Sequence, residues 1–212
     1  IAYSADCQLA LGHTNAAFAT LHRAYDENPA SMTPLFRLGA LWALRQDATN
    51  TLARLASSGP RQEAHQLILA AVHQTLKNDD AAIATLRAYY ARRLCASRFP
   101  EEGFYLWYGG LLDLAKRPEQ SERLFLEALA VHPGSHEIKN YLAYTWAEKG
   151  IRLEEANRLS NDALKAEPEN AAYLDTKGWI LFKSGRVFDA LQFLLHAAKL
   201  DSEEPVILDH TG

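Results

Sequence analysis

Apolar residues recur along the chain at spacings of three and four residues, which is the period of one face of an α-helix. Short polar stretches that contain glycine or proline interrupt this pattern, for example around Pro133, Gly150 and Gly185. Consecutive amphipathic stretches therefore indicate pairs of helices, A and B, joined by tight turns. The A helices are predicted near 35–45, 63–76, 102–115, 137–148 and 171–183. The B helices are predicted near 15–27, 48–57, 79–93, 118–131, 154–166 and 187–200.

The helix pairs form a repeat, because a small residue returns at the same place in each A helix. It steps along the chain by 34, 31, 39, 34, 35 and 34 residues. Only a small side chain fits where two helix backbones approach closely, so these positions and their partners in the B helices are predicted to be structural contacts. In the A helices they are Ala5, Gly39, Ala70, Gly109, Ala143, Gly178 and Gly212. In the B helices the clearest are Ala156, Ala163, Ala190 and Ala197.

The last complete repeat carries a motif that resembles the tetratricopeptide repeat (TPR): Gly178–Trp179, Gly185–Arg186, Ala190 and Ala197. The resemblance extends over essentially the whole chain, and the segment YLDTKGWILFKSGR is similar to bacterial TPR proteins. Two positions depart from the family, with Ser202 in place of the usual proline and Tyr89 in place of the usual alanine. The resemblance implies an all-α, right-handed superhelical solenoid of TPR helix-turn-helix repeats.

The repeats predict a single TPR array over residues 1–212. The chain begins inside an A helix, and its last segment, VILDHTG, is typical of another A helix cut short. We therefore expect a fragment of a longer chain whose apolar end faces can self-associate, with Val206, Ile207 and Leu208 contributing. The expected repeats are 1–31, 32–62, 63–101, 102–135, 136–170 and 171–204, followed by the start of another at 205–212.

Charge and hydropathy narrow the classes of partner. Apolar residues make up 48% of the chain, and the formal net charge is −4, with the surplus of acid in 102–212 and a weakly basic stretch at 32–101. Nucleic-acid binding needs a basic face that displaces counterions, so no nucleic acid is expected as a partner. No run approaches the ~18 apolar residues of a membrane helix, so no direct membrane insertion is expected. No targeting segment is found in this sequence, which leaves the cytoplasm and the periplasm both open.

No motif in the sequence carries a known catalytic chemistry. HExxH, Walker, GxSxG and GxGxxG patterns are absent, so we expect no enzymatic activity, no cofactor and no metal. His132 and His136 are four residues apart, but a Pro-Gly turn separates them and they are interpreted as turn residues. Cys7 and Cys95 lack a metal-binding or redox spacing and are expected to be buried in the core. A disulfide between them is left open.

The A helices line the concave side of TPR arrays, so the resemblance implies that their face turned away from helix B is a binding wall. In this sequence that face is aromatic and mostly acidic. TPR proteins that clamp a terminal carboxylate use Lys, Arg and Asn there, and only Asn140 fits, so a basic or amide-rich extended segment or a partner helix suits the face better. An equal alternative is that these residues only solvate the groove or pack against another part of a longer protein. The candidate binding residues are Asp113, Asn140, Tyr144, Glu148, Asp175 and Trp179.

Two functions are consistent with the sequence. The first is a protein-protein interaction scaffold that binds a peptide, helix or partner subunit in the concave groove, without catalysis. The second is a targeting or assembly domain of a larger enzyme, or of a bacterial secretion or envelope complex, whose chemistry lies outside this sequence. In either case the expected partner is another protein or peptide, with a basic one favoured by the acidic face.

Overall fold

A computed structural model of the chain describes residues 2–27, Arg37, Leu41 and residues 62–211. Within this part of the chain every regular element is an α-helix and none is a β-strand. The all-α class predicted from the apolar periodicity is therefore confirmed. The described residues leave out Gly39, Gly212, the helix predicted near 48–57 and most of the one predicted near 35–45.

Each helix predicted wholly inside the described residues is present, and its ends lie within two residues of the predicted positions. Two further helices stand at the beginning and the end of the described chain, where the sequence indicated A helices of incomplete units. The helices of this part of the chain are α1 (Ala2–Ala10), α2 (Thr14–Glu27), α3 (Gln62–Thr75), α4 (Asp79–Cys95), α5 (Glu102–Leu114), α6 (Pro118–Val131), α7 (His136–Lys149), α8 (Leu153–Ala166), α9 (Ala171–Lys183), α10 (Val187–Leu200) and α11 (Pro205–Thr211).

Local sequence explains where the helices begin and end. The Ser135 side chain accepts a hydrogen bond from the Ile138 N–H at the start of α7, and the Asn170 side chain accepts one from the Tyr173 N–H at the start of α9. These caps satisfy backbone donors that the first turn of a helix leaves free. Gly150 follows α7 with a φ of 65°, a left-handed conformation that glycine adopts without strain.

The chain divides into two compact units, Ile1–Arg117 and Pro118–Gly212, and each is described by itself. In the first unit α1 packs against α2, α3 against α4, and α4 against α5. In the second unit α6 packs against α7, α7 against α8, and α9 against α10. Helix α9 also contacts α7, α8 and α11, so the A helices α7, α9 and α11 lie side by side. A single continuous array of six repeats stays a prediction.

The small residues of the repeat lie where helices meet. At Gly178 a Cβ atom would lie 2.6 Å from Leu194 Cγ and 3.1 Å from the Ala190 carbonyl oxygen, both on α10. Any side chain larger than hydrogen would therefore force α9 and α10 apart or displace Leu194. The other described positions of the predicted set are also buried: Ala5, Ala70, Gly109, Ala143, Ala156, Ala163, Ala190 and Ala197.

The 39-residue step of the repeat coincides with α4, which is 17 residues long, longer than its partner α3 of 14 residues. Tyr89 of α4 occupies a position where the TPR family usually has alanine. It is buried, and its ring centroid lies 5.0 Å from that of Phe104 on α5. Aromatic packing therefore takes the place of the close helix contact that alanine would allow.

The expectation that both cysteines are buried is wrong, because Cys7 and Cys95 are exposed free thiols. Cys7 lies two residues after the buried Ala5, and residues two apart lie on different faces of a helix. Cys95 is the last residue of α4, whose final turn is mostly exposed. The hydrophobic character of a thiol was outweighed in both cases by the position on the helix.

Candidate interaction site

The predicted binding face lies mainly on two packed A helices of the second unit, α7 and α9. On α7, Asn140 and Tyr144 are four residues apart, and on α9, Asp175 and Trp179 have the same spacing. Residues four apart are neighbours on one helix face, so each pair presents its side chains together. Helix α9 in turn contacts α11, which brings a third A helix to this face.

The side chains of Tyr144, Asp175 and Trp179 lie around the imidazole ring of His210, which belongs to α11, and we call these three residues the imidazole pocket. His210 Nδ1 lies 2.9 Å from Asp175 Oδ2 and 3.0 Å from Asp175 Oδ1, within hydrogen-bond distance of both oxygens. The imidazole stacks on the Trp179 indole, with ring centroids 4.0 Å apart and an angle of 12° between the planes. The Tyr144 ring centroid lies 6.3 Å from that of His210. The pocket therefore combines one carboxylate with two aromatic rings.

Trp179 is half-buried and makes further contacts besides the one with His210. Its Nε1–H donates a hydrogen bond to Glu148 Oε1 on α7, which brings a second carboxylate to the edge of the imidazole pocket. Phe182 stacks on the indole with 5.2 Å between ring centroids. Lys183 Nζ lies 4.5 Å from the indole centroid, in a cation–π arrangement. The ring of Trp179 thus already holds one cation of this chain.

Burial and neighbouring acids set the electrostatics of the imidazole pocket. Asp175 is only 3% exposed, and this burial raises the pKa of its carboxyl group, an effect that His210 opposes. Glu148 and Glu204 raise the pKa of Asp175 further through charge repulsion. Burial also raises the pKa of the Tyr144 hydroxyl group, and the nearby carboxylates add to that increase. A site in which several acids disfavour one another's charge is one that favours a cation.

Asn140 and Asp113 complete the predicted set. Asn140 lies one turn before Tyr144, and its Oδ1 atom is buried with no hydrogen-bond partner in the part of the chain that the structure describes. A buried amide oxygen without a partner is costly, and a bound peptide N–H reaches this one only after the Asn140 side chain turns outward. Asp113 lies on α5 of the first unit and is partly buried there. Five of the six predicted residues therefore belong to the second unit.

The end of the second unit differs from its prediction at Ile207, which we expected on an exposed apolar face. Ile207 is 2% exposed and packs in one cluster with Leu174 of α9 and Ala197 of α10. That expectation is wrong because α11 packs against both helices with Ile207 on its inner side. Val206 and Leu208, on either side of it, are exposed. Self-association through them stays a prediction.

Two buried or half-buried residues of this unit could not be singled out from the sequence. His210 lies in the segment VILDHTG, which carries no motif. Lys177 is 8% exposed, and its Nζ donates hydrogen bonds to the side-chain oxygens of Asn157 and Asn161, the latter at 2.6 Å. Burial lowers the pKa of the Lys177 ammonium group, and Arg186 lowers it further. The sequence contains one hint of this contact: Asn157 and Asn161 are four residues apart on α8 and therefore lie on the same helix face.

The described ranges contain neither a cluster of metal-ligating side chains nor a membrane-spanning helix. No group of three or more His, Cys, Asp or Glu side chains in residues 2–27 and 62–211 is arranged to hold a metal ion. His136, interpreted from the sequence as a turn residue, is the first residue of α7, and its Nδ1 atom lies 2.8 Å from the hydroxyl oxygen of Tyr173. No helix in the same ranges is long and apolar enough to cross a membrane.

In sequence, the chain is similar to a curated TPR repeat-containing protein of Pseudomonas aeruginosa, at 30% identity over 156 residues. The match covers 71% of this chain and 25% of the relative. The chain therefore spans a quarter of the length of that relative. No family model matches the chain.

In structure, the chain is similar to YrrB, described as a TPR protein with an unusual peptide-binding site, with a TM-score of 0.62 and 14% identity. The match covers 89% of this chain and 96% of YrrB. The MamA AMB-1 structure matches with a TM-score of 0.59 at 15% identity, over 85% of this chain and 97% of MamA. The MamA MSR-1 structure gives 0.58 at 14% identity, over 81% and 97%. At these identities the likeness concerns the fold alone.

Proposed function

Since the chain has the TPR fold and resembles the TPR family in sequence, we propose that it is a protein-interaction scaffold without catalytic activity of its own. Its A-helix face, on α7 and α9, binds a peptide, a helix or a partner subunit. The description of YrrB as a TPR protein with a peptide-binding site supports a binding role for this fold. A stack of helix pairs offers an extended surface that suits such a role.

The imidazole pocket is the observation that carries the proposal. Two aromatic rings, those of Tyr144 and Trp179, and the carboxylate of Asp175 lie around one side chain, that of His210. Aromatic residues are the commonest anchors of protein interfaces, because they bury a large area at low cost in conformational entropy. Because this face already accommodates the side chain of His210, it has the shape to accommodate a side chain of a partner protein.

The chemistry of the face favours a basic partner segment. Glu148 and Asp175 bring two carboxylates to the same pair of aromatic rings. The Oδ1 of Asn140, one turn from Tyr144, is buried without a partner and becomes an acceptor for a peptide N–H when the side chain turns outward. The complementary ligand therefore has a cationic side chain and a free backbone donor nearby.

A binding experiment tests the proposal with variants of the face. The partner is identified by affinity capture on the 212-residue chain, and its affinity is then measured by isothermal titration calorimetry with purified components. We expect Trp179→Ala to weaken binding by about 2 kcal/mol, roughly 30-fold in Kd, because it removes an aromatic anchor. Asp175→Asn should weaken it as well, through loss of the negative charge.

Phe188→Ala is the matched control, because this ring on α10 is 89% exposed and lies outside the A-helix face. It should leave the affinity unchanged. Circular dichroism establishes that each variant is folded. If the partner binds Trp179→Ala and Asp175→Asn as tightly as the unchanged chain, the A-helix face of α7 and α9 is not the binding site.

The second candidate, a targeting or assembly domain of a larger enzyme or envelope complex, is favoured by one observation. The chain spans a quarter of the length of the curated relative that it matches. In a longer protein of that kind, deleting this repeat region should abolish complex formation while the chemistry of the remainder persists. Loss of the chemistry with assembly intact would contradict this second function.

A further inference from the structure

We infer that the imidazole pocket is a recognition site for one arginine side chain of the partner, and that His210 of this chain fills the site when the partner is absent. The inference rests on the proposed function, since it names the residue type that the same face accepts. It adds to the proposed function that His210 of α11 and the arginine of the partner compete for the imidazole pocket. Three features of the pocket lead to it: its flat shape, its excess of acid and the separate anchoring of α11.

The first feature is the shape of the space that His210 fills. The imidazole lies at 12° to the Trp179 indole, with centroids 4.0 Å apart, so the pocket accepts a flat group. Both carboxylate oxygens of Asp175 lie within 3.0 Å of the same imidazole nitrogen, so the carboxylate faces this group with both oxygens. A guanidinium group is planar, stacks on aromatic rings and donates to both oxygens of a carboxylate. The compact ammonium of lysine cannot stack in this way, so arginine is preferred over lysine.

The second feature is the excess of acidic groups from the A helices α7, α9 and α11 and from the residue before α11. Glu148 approaches from α7, Glu204 and Asp209 come from the segment around α11, and Asp175 belongs to α9. A basic group, Lys183, also lies near the indole, with its Nζ atom 4.5 Å from the ring centroid. An imidazole carries a charge only when protonated, whereas a guanidinium group is charged at every pH at which proteins fold. Arginine therefore offers the buried carboxylate of Asp175 a permanent positive charge together with donors for both oxygens.

The third feature is that His210 can leave the pocket without α11 leaving the unit. Ile207 anchors helix α11 in the apolar cluster with Leu174 and Ala197. His210 contacts a different set of residues, those of the imidazole pocket. Because the two anchors are separate, a ligand has to displace one side chain only. The free energy of His210 in the pocket then sets the affinity that an incoming arginine must exceed.

The test uses a simple probe, N-acetyl-arginine amide, with N-acetyl-lysine amide as its matched counterpart. Each is titrated into the 212-residue chain, and into the variants His210→Ala and His210→Arg, while tryptophan fluorescence is recorded. We expect His210→Ala to bind the arginine probe about tenfold more tightly than the lysine probe, the difference made by one stacked, desolvated cation–π contact. The unchanged chain should bind the arginine probe more weakly than His210→Ala, and His210→Arg should not bind it, because its own arginine fills the pocket.

Two controls keep the result interpretable. Trp179→Phe in the His210→Ala background should abolish the fluorescence change, which assigns the signal to this indole among the four tryptophans of the chain. The thermal midpoint at pH 8 should be at least as high for His210→Arg as for the unchanged chain, and lower for His210→Ala. This second measurement needs no ligand and holds even where the probes bind weakly.

The inference is overturned if His210→Ala binds both probes equally or neither, or if His210→Arg melts well below the unchanged chain. Such results leave the proposed function standing wherever Trp179→Ala still weakens binding of the captured partner. Conversely, if the captured partner binds Trp179→Ala as tightly as the unchanged chain, the proposed function is contradicted, whatever the affinities of the two probes. The two failures are therefore distinguishable.

Discussion

Two tryptophans on successive A helices of the second unit, Trp146 on α7 and Trp179 on α9, are held in opposite ways. Trp146 is 1% exposed, and its Nε1–H donates to Glu122 Oε1 on α6 at 2.9 Å. Trp179 is half-buried, and its ring is covered by the imidazole of His210. Trp146 lies three residues after the small Ala143, whereas Trp179 lies one residue after the small Gly178. A shift of two positions in the repeat thus separates a sealed core residue from one on an accessible face.

The carboxylates beside the two tryptophans, Glu122 and Asp175, differ in the direction in which their pKa is shifted. Hydrogen bonds from Lys149 and Trp146 lower the pKa of Glu122, so its surroundings favour the charged form. Burial raises the pKa of Asp175, so its surroundings oppose the charged form and a cation is needed to offset the cost. The hydrogen bonds around Trp146 and Glu122 are typical of a structural network, whereas the buried Asp175 beside Trp179 supports our proposal that a ligand binds there.

The largest expected difference between the two sites is in stability. Trp146→Ala should lower the free energy of unfolding by about 3–5 kcal/mol, because it leaves a cavity in a sealed core. Trp179→Ala should lower it by about 1 kcal/mol, the scale of a lost aromatic contact. Urea denaturation followed by circular dichroism measures both. Equal losses at the two positions would show that Trp179 is a core residue, and the comparison would fail.

A second prediction concerns Gly178, which allows α9 to lie close to α10 and so sets the position of Trp179. Gly178→Ala should destabilise the chain by about 1–3 kcal/mol through overpacking against Leu194. Gly110→Ala on α5 is the matched control, because a Cβ atom there meets no atom within 4 Å. The control should be neutral or stabilising by up to about 1 kcal/mol, since alanine is the better helix former. A midpoint in urea for Gly178→Ala that equals that of the control would contradict the close contact.

The smallest expected effects are those of pH, and they have opposite signs at the two sites. The lowered pKa of Glu122 means that its contribution to stability is present above its ordinary pKa of 4.5 and is lost as the pH falls through the folded value. The raised pKa of Asp175 means that the folded state takes up a proton above the ordinary value of 3.8, so stability falls as the pH rises through that window.

Urea midpoints recorded between acid and neutral pH test these signs. The deficit of Glu122→Gln relative to the unchanged chain should shrink as the pH falls. The difference between Asp175→Asn and the unchanged chain should move in favour of the variant as the pH rises from 3.8. Parallel pH profiles for the two variants would show that the carboxylates do not differ.

Most of the helical fold could be predicted because its determinants are local. The ends of α7 and α9 are encoded by Ser135, Gly150 and Asn170, which satisfy or terminate the backbone within a few residues. Gly178 could be placed at a helix contact because its spacing repeats. The side-by-side placement of Tyr144 and Trp179 could be predicted in part for the same reason, since each follows the small residue of its own helix.

The exposure of single residues could not be predicted to the same degree. The exposed Cys7 contradicts the expectation from residue type, and the buried Ile207 contradicts the expectation that it lies on an exposed end face. A thiol and an aliphatic side chain indicate a preference for the interior. Whether the preference is met depends on which side of the helix faces a neighbour.

By itself the sequence determined the helices, their pairing in repeats and the small residues at their contacts, because these follow from hydrogen bonding and packing over one helix turn or one repeat. Only the tertiary structure decided which polar groups are buried. The partner of the Asp175 carboxylate is His210, 35 residues later, and a partner of the Lys177 ammonium group is Asn157, 20 residues earlier. Helical periodicity specifies the side of a helix on which a residue lies, whereas the loss of its water depends on the group that lies opposite.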